Sequence, residues 1–187
     1  GRLEVSLNRT PWKEADFRRS VRLVPQHPGT NLLGQTVRED LEISARTAGL
    51  MPNDIARETE RFSLGPLLDR PVHALSGGEQ RRVALAGAVM GAPELLLFDE
   101  PFLELDYHST LEFLSLRRTL SAQGVGVVIA THDYHRTAAE ADRMLILEAG
   151  SVAVDAPPRQ AVALAPKYAL RPAVGPLETL LWGAEER

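Results

Sequence analysis

Leu95-Leu96-Leu97-Phe98-Asp99-Glu100 is a run of four apolar residues that ends in two acids. Such a run suits a strand buried on both faces of a parallel sheet. Its terminal carboxylates then stand at the C-terminal edge of the sheet, where ligands bind. Val125-Gly126-Val127-Val128-Ile129-Ala130 repeats the pattern and ends at Thr131-His132-Asp133. Met144-Leu145-Ile146-Leu147 repeats it once more, with helical stretches at about 109–122 and about 134–141 in between. Strand, helix, strand, helix, strand predicts an α/β crossover architecture.

Upstream, Leu3-Glu4-Val5-Ser6-Leu7 alternates, and Val21-Arg22-Leu23-Val24 alternates again before Pro25 and Gln26. Both read as short extended pieces. From Thr36 to Met90 the rhythm is helical. Thr36 is placed to N-cap a helix through Ala48, with Glu39 completing a capping box and Gly49 at the end. Asn53 is expected to cap a second helix to about Ser63, and a third starts near Ser76 with Val83, Ala86 and Met90 on one face. The expected organisation is a sheet core at 1–35 and 91–156, an inserted helical subdomain at 36–90, and a Pro- and Ala-rich C-terminal extension at 157–187. The extension holds an amphipathic piece from Leu177 to Trp182.

Composition narrows the classes. The chain has 187 residues, 44% hydrophobic and 25% charged, the mix of one ordinary soluble domain. The net charge of -4 argues against a nucleic-acid partner. No cysteine is present, which excludes disulfides and thiolate zinc sites. No apolar run reaches the roughly eighteen residues that cross a bilayer, and Gly1 to Thr10 lacks a signal-peptide core, so a cytoplasmic location is expected. Only Lys13 and Lys167 are lysines; every other basic residue is arginine.

Four features carry chemistry. In Leu75-Ser76-Gly77-Gly78-Glu79-Gln80-Arg81-Arg82, two glycines directly precede a helix whose free amides and dipole favour an anion. Taken alone, the same residues also describe a serine-capped turn. Asp99 at a strand tip can hold Mg²⁺ through water, and Glu100 can orient and deprotonate a water. A solvent-exposed strand end reads the same way. His132 closes the next strand, and Gln26 ends an earlier one.

In order and spacing, Gln26, Leu75–Gln80, Asp99-Glu100, Asp106 and His132 resemble the ATP-binding cassette ATPases over nearly the whole chain. The resemblance implies an α/β P-loop NTPase fold of the cassette type, with a parallel sheet and an inserted helical signature subdomain. It matches Gln26 to the Q-loop, Leu75–Gln80 to the signature, Leu95–Glu100 to the Walker B strand, Asp106 to the D-loop and His132 to the switch histidine. By the same resemblance two cassettes sandwich ATP and Mg²⁺. Ser76, Gly77 and Gly78, with Glu79 in the motif, would face ATP held by the second subunit. Asp99 and Gln26 would serve Mg²⁺, Glu100 would be the general base, and His132 and Gln26 would sense the γ-phosphate. Arg81-Arg82-Val83-Ala84-Leu85-Ala86-Gly87 and Asp142–Gly150 are similar to energy-coupling-factor and cobalt-type importer ATPases. That subfamily docks on a transmembrane transport subunit at the inner face of the membrane.

Two departures stand out. The family's phosphate loop, G-x-x-x-x-G-K-[ST], needs a lysine after glycine; Lys13 follows Trp12 and Lys167 follows Pro166, so the loop is not among these residues. Gly1-Arg2-Leu3-Glu4-Val5 resembles the segment that follows that loop, which leads to the expectation that about forty residues of a βαβ phosphate-binding unit lie upstream. Tight ATP binding by this chain alone is then not expected. Secondly, Phe102-Leu103-Glu104 stands where the family has small residues, which leaves the geometry of the Asp106 loop open. Two other classes compete with an importer subunit. A DNA-associated cassette ATPase is disfavoured by the compact 49-position interval from Gln26 to Leu75. A non-catalytic cassette kept for its surface is favoured by the lack of a phosphate loop and disfavoured by the retention of Glu100, His132 and the signature.

Overall fold

The computed structural model describes residues 6–7, 10–11, 20–103 and 105–170. The expected helix at 177–182 and most of the strand at Leu3–Leu7 lie outside them. The chain forms two compact units, Gly1–Ala130 and Thr131–Arg187.

In the first unit, β1 (Ser6–Leu7) and β2 (Thr10–Pro11) form a short antiparallel pair. β3 (Val21–Val24) leads through a 3₁₀ turn at Pro28–Asn31 to α1 (Val37–Thr47). Thr36 caps α1 as expected, its Oγ1 accepting the Glu39 N–H at 3.3 Å. The reciprocal bond is displaced by one residue: the Glu39 carboxylate accepts the N–H of Gln35, at 2.8 Å, rather than that of Thr36. The next helical piece starts before Asn53. Pro52 presets the first turn of a 3₁₀ segment, Pro52–Ile55, and the Asp54 carboxylate accepts the Met51 N–H at 2.9 Å. That segment continues as α2 (Ala56–Arg61), which stops short of Ser63 because the chain turns left-handed there, at φ 52°.

α3 (Gly77–Val89) precedes β4 (Leu95–Asp99), α4 (Tyr107–Ala122) and β5 (Gly126–Ala130). β3, β4 and β5 form a parallel sheet in that order, with Val24 beside Phe98 and Phe98 beside Ile129. Val24, Leu96 and Phe98 share one contiguous core with Val37 and Leu41 of α1, Val83 and Ala86 of α3, and Phe113 and Leu120 of α4. The helical stretch and the sheet are thus joined by burial, which contributes about 1.5–3 kcal/mol for each large apolar side chain removed from water. Burial on both sheet faces is not what the described residues show. Leu23, Leu97 and Val128 form a row on the opposite face, with Leu23 55% and Val128 50% exposed. The helices named here cover only the other side.

The second unit departs further from expectation. The helix expected at 134–141 is two 3₁₀ turns, Tyr134–Arg136 and Ala138–Glu140. β-Branched Thr137 leaves the helical region between them, at φ −129°. Asp133 ion-pairs with Arg136 at 2.6 Å and caps nothing. β6 (Met144–Glu148) is not a further parallel strand. It pairs antiparallel with β7 (Ser151–Ala156), a strand absent from the sequence reading, through Ala149 and Gly150 at φ 48° and 79°. Two successive positive φ values make the tight turn that closes a hairpin. α5 (Pro158–Leu164) then covers Ile146 and Val154 with Ala161 and Val162.

Candidate functional site

The site is built from the start of α3 outward. Ser76 is extended, and its Oγ accepts the Glu79 N–H at 3.3 Å while the Glu79 carboxylate accepts the Ser76 N–H at 2.7 Å. This reciprocal cap satisfies two donors of the first turn. Ser76's amide, and then its hydroxyl, hold the Glu79 carboxyl below its ordinary range. Arg70 adds an ion pair at 3.2 Å. Glu79 is therefore committed to the cap, and the turn presents its backbone and Ser76 outward. Gly77 and Gly78 are exposed, and a Cβ on either would meet nothing within 4 Å.

At the tip of β4, Asp99 is exposed and the chain turns at Glu100 with φ 44°. A left-handed backbone costs a non-glycine residue about 1–2 kcal/mol. Here it is held by the Glu100 N–H, which donates to the Ala130 carbonyl at the end of β5 at 2.8 Å. Pro101 and Phe102 then go inward. Phe113 meets both Phe98 and Phe102 edge-on, with centroids 5.1 and 5.3 Å away. The bulky ring at 102 thus fills core, which answers how the loop accommodates it; Glu104 lies outside the described residues. Asp106 N-caps α4 by accepting the Ser109 N–H at 2.7 Å, and this bond keeps its carboxyl below the ordinary range. That cap starts the helix at Tyr107, two positions before the expected 109.

Gln26 lies half-buried in the bend after β3. Pro25, Pro28, Arg81, Asp99 and Pro101 line one narrow crevice, so the turn after β3, the tip of β4 and α3 converge. His132 belongs to the second unit, where it is exposed beside a Thr131 hydroxyl that accepts the Asp133 N–H at 3.0 Å. Among the described residues no three acidic or histidine side chains converge on a metal site. A single exposed carboxylate such as Asp99 fits Mg²⁺ that arrives on phosphates with its own waters, rather than a protein cage.

Three residues have structural roles that the sequence did not assign: Asp40, which lies in no quoted motif, and Gln80 and Arg81, which lie within the glycine-containing motif. The Asp40 Oδ1 accepts the N–H groups of Leu33 and Gly34 at 2.6 and 3.0 Å, fixing the loop before α1. Its signal was a polar residue on the buried stripe Val37, Leu41, Ala45. Gln80 donates to the Val72 carbonyl at 3.3 Å, and its Oε1 lies where a Cβ on Gly29 would come within 2.3 Å. Arg81 donates to the carbonyls of Pro101 and Leu103, at 2.8 and 3.2 Å. Neither of these long-range contacts leaves a local sequence mark.

A parallel sheet that ends in adjacent carboxylates, beside a helix opened by glycines, defines a nucleotide-binding α/β fold of the P-loop NTPase class. The chain belongs to the ATP-binding cassette (ABC) transporter family: the family model described as ABC transporter matches residues 2–103. The cobalt import ATP-binding protein CbiO of Rhodobacter capsulatus is 42% identical over 141 residues, 73% of this chain and 50% of that protein. The energy-coupling factor transporter ATP-binding protein EcfA1 of Caldanaerobacter subterraneus is 31% identical over 150 residues, 78% of this chain and 54% of that protein. The chain thus spans about half the length of these relatives. The solved structure of cbiO1 from Clostridium perfringens, part of the ABC transporter complex cbiONQ, is similar with a TM-score of 0.65 and 28% identity, covering 82% of this chain and 64% of that one.

Proposed function

We propose that this chain is an ATP-binding subunit of a cobalt or energy-coupling-factor type importer. It acts in the cytoplasm on the inner face of the membrane, with a second cassette and a transmembrane subunit. The observation that carries this reading is the 42% identity to a cobalt import ATP-binding protein, and the exposed Gly77 and Gly78 at the start of α3 agree with it. Gly77 and Gly78 are the first two residues of α3, and nothing described in this chain lies where either Cβ would stand. A phosphate chain held by the second cassette accounts for the space. The first-turn amides and the Ser76 hydroxyl are its donors, at the positive end of a 13-residue helix.

Asp99 would hold Mg²⁺ through water, with Gln26 as a neutral partner. When bound, the metal neutralises charge on the phosphates. Glu100 would orient the attacking water and accept its proton, assistance worth about 10²–10⁴-fold. His132 would donate to the γ-phosphate, and Asp106 would stand at the cassette–cassette face. A non-catalytic regulatory cassette kept for its surface is the second reading.

Titration of the isolated chain with ATP and Mg²⁺ should show no micromolar affinity. Mixed with a complete cassette of the same importer, the chain should associate only in the presence of a non-hydrolysable ATP analogue. Gly77→Ala/Gly78→Ala should abolish that association. Association indifferent to nucleotide and to the two substitutions overturns the proposal and favours the regulatory reading, whereas micromolar binding by the chain alone overturns only the expectation that it lacks tight ATP binding in cis.

A further inference from the structure

We propose that Arg81 is a positioning residue that ties the glycine-opened helix to the loop carrying Glu100, within one chain. The inference deepens the reading above and rests on it for the reaction.

The loop after β4 is anchored at three points. The Glu100 N–H reaches the Ala130 carbonyl at 2.8 Å. The Phe102 ring sits edge-on against Phe113. Between and beyond them, the half-buried Arg81 guanidinium forks to two carbonyls, Pro101 at 2.8 Å and Leu103 at 3.2 Å. Arg81 is the anchor that comes from α3, the helix whose first turn holds Ser76, Gly77 and Gly78. Hydrogen bonds from a charged donor are among the stronger ones, and a planar fork fixes two acceptors at once.

Gln80, its neighbour, packs on Gly29 in the turn after Gln26. This part of α3 therefore touches both loops that enter the crevice beside Asp99. In a two-cassette sandwich, Ser76–Gly78 serve the nucleotide of the second subunit, whereas Glu100 serves the chain's own. Arg81 then links the two sites: displacement of α3 at one carries the Pro101 and Leu103 carbonyls, and so the direction of Glu100, at the other.

The test is amide hydrogen exchange on the full chain together with steady-state ATP hydrolysis by the assembled importer. Arg81→Met removes both bonds; Arg81→Lys keeps the charge but cannot fork. The Leu103 and Leu105 amides, which donate to the Glu100 and Phe102 carbonyls at 3.2 Å, should exchange about tenfold faster in Arg81→Met. The Leu33 and Gly34 amides held by Asp40 should be unaffected. In the importer, kcat should fall about tenfold at unchanged KM, with Arg81→Lys intermediate. If Arg81→Met loses protection throughout, Arg81→Lys is read instead and should quicken Leu103 and Leu105 alone. Unchanged exchange at those amides, or loss of nucleotide affinity together with kcat, overturns the proposal. If the wild-type assembly hydrolyses no ATP, the functional reading fails and the exchange result decides the link by itself.

Discussion

Asp40 shows how one side chain can hold a loop at a cost. Its carboxylate is buried, which pushes its pKa up, and the N–H groups of Leu33 and Gly34 only partly offset this. A raised carboxylate favours the proton in the folded state, so the penalty appears as pH rises through the carboxylate range and is fully present at neutrality. Asp40→Ala would leave two N–H groups without their acceptor and should cost about 2–4 kcal/mol in urea denaturation at neutral pH. Asp40→Asn keeps an oxygen for both donors and loses the buried charge, so it should cost less than about 1 kcal/mol. Equal losses in the two variants would assign the effect to shape alone. Thr36 and Ser76 were legible as caps because capping is local: an acceptor and its donor lie three residues apart. Asp40 acts on partners 6 and 7 positions away and Arg81 on partners 20 and 22 positions away, and neither role was legible.

At the scale of elements, the starts of α3 and α4 are set by carboxylates with depressed pKa values. Glu79 lies below its ordinary 4.5 and Asp106 below its ordinary 3.8. The sign is opposite to that of Asp40: each stabilises above its ordinary value, and the contribution is lost as pH falls through the lower folded value. Acidification from about pH 5 to about pH 2 should therefore expose the Ser76 and Ser109 amides, read by NMR exchange, before the sheet opens. Asp106→Asn, still a good cap, should remove that pH dependence at Ser109 and leave it at Ser76. The apolar runs found β4 and β5 because three or four adjacent large apolar residues leave few alternatives. β7 was missed because its alternation is weak and its pairing depends on the Ala149-Gly150 turn.

At the scale of the molecule, the edge-on rings Phe98, Phe113 and Phe102 join the sheet, α4 and the Glu100 loop in one core. Phe113→Ala should cost about 3–5 kcal/mol, read by chemical denaturation, because it opens a cavity under both neighbours. A loss under about 1 kcal/mol would mean that the rings do not share a load. The sequence by itself determined the family, the parallel α/β class, the identities of the candidate site residues and the lack of a phosphate-loop lysine among these 187 residues. These follow from local order: strand-length apolar runs, caps and motif spacing are all read within a few residues. Only the tertiary structure decided that Phe102 turns inward, that Glu100 is left-handed, that β6 pairs with β7, and that Arg81 grips the loop beside the carboxylates. Each depends on groups distant in the chain competing for the same space and the same hydrogen-bond acceptors, and that competition is settled only on folding.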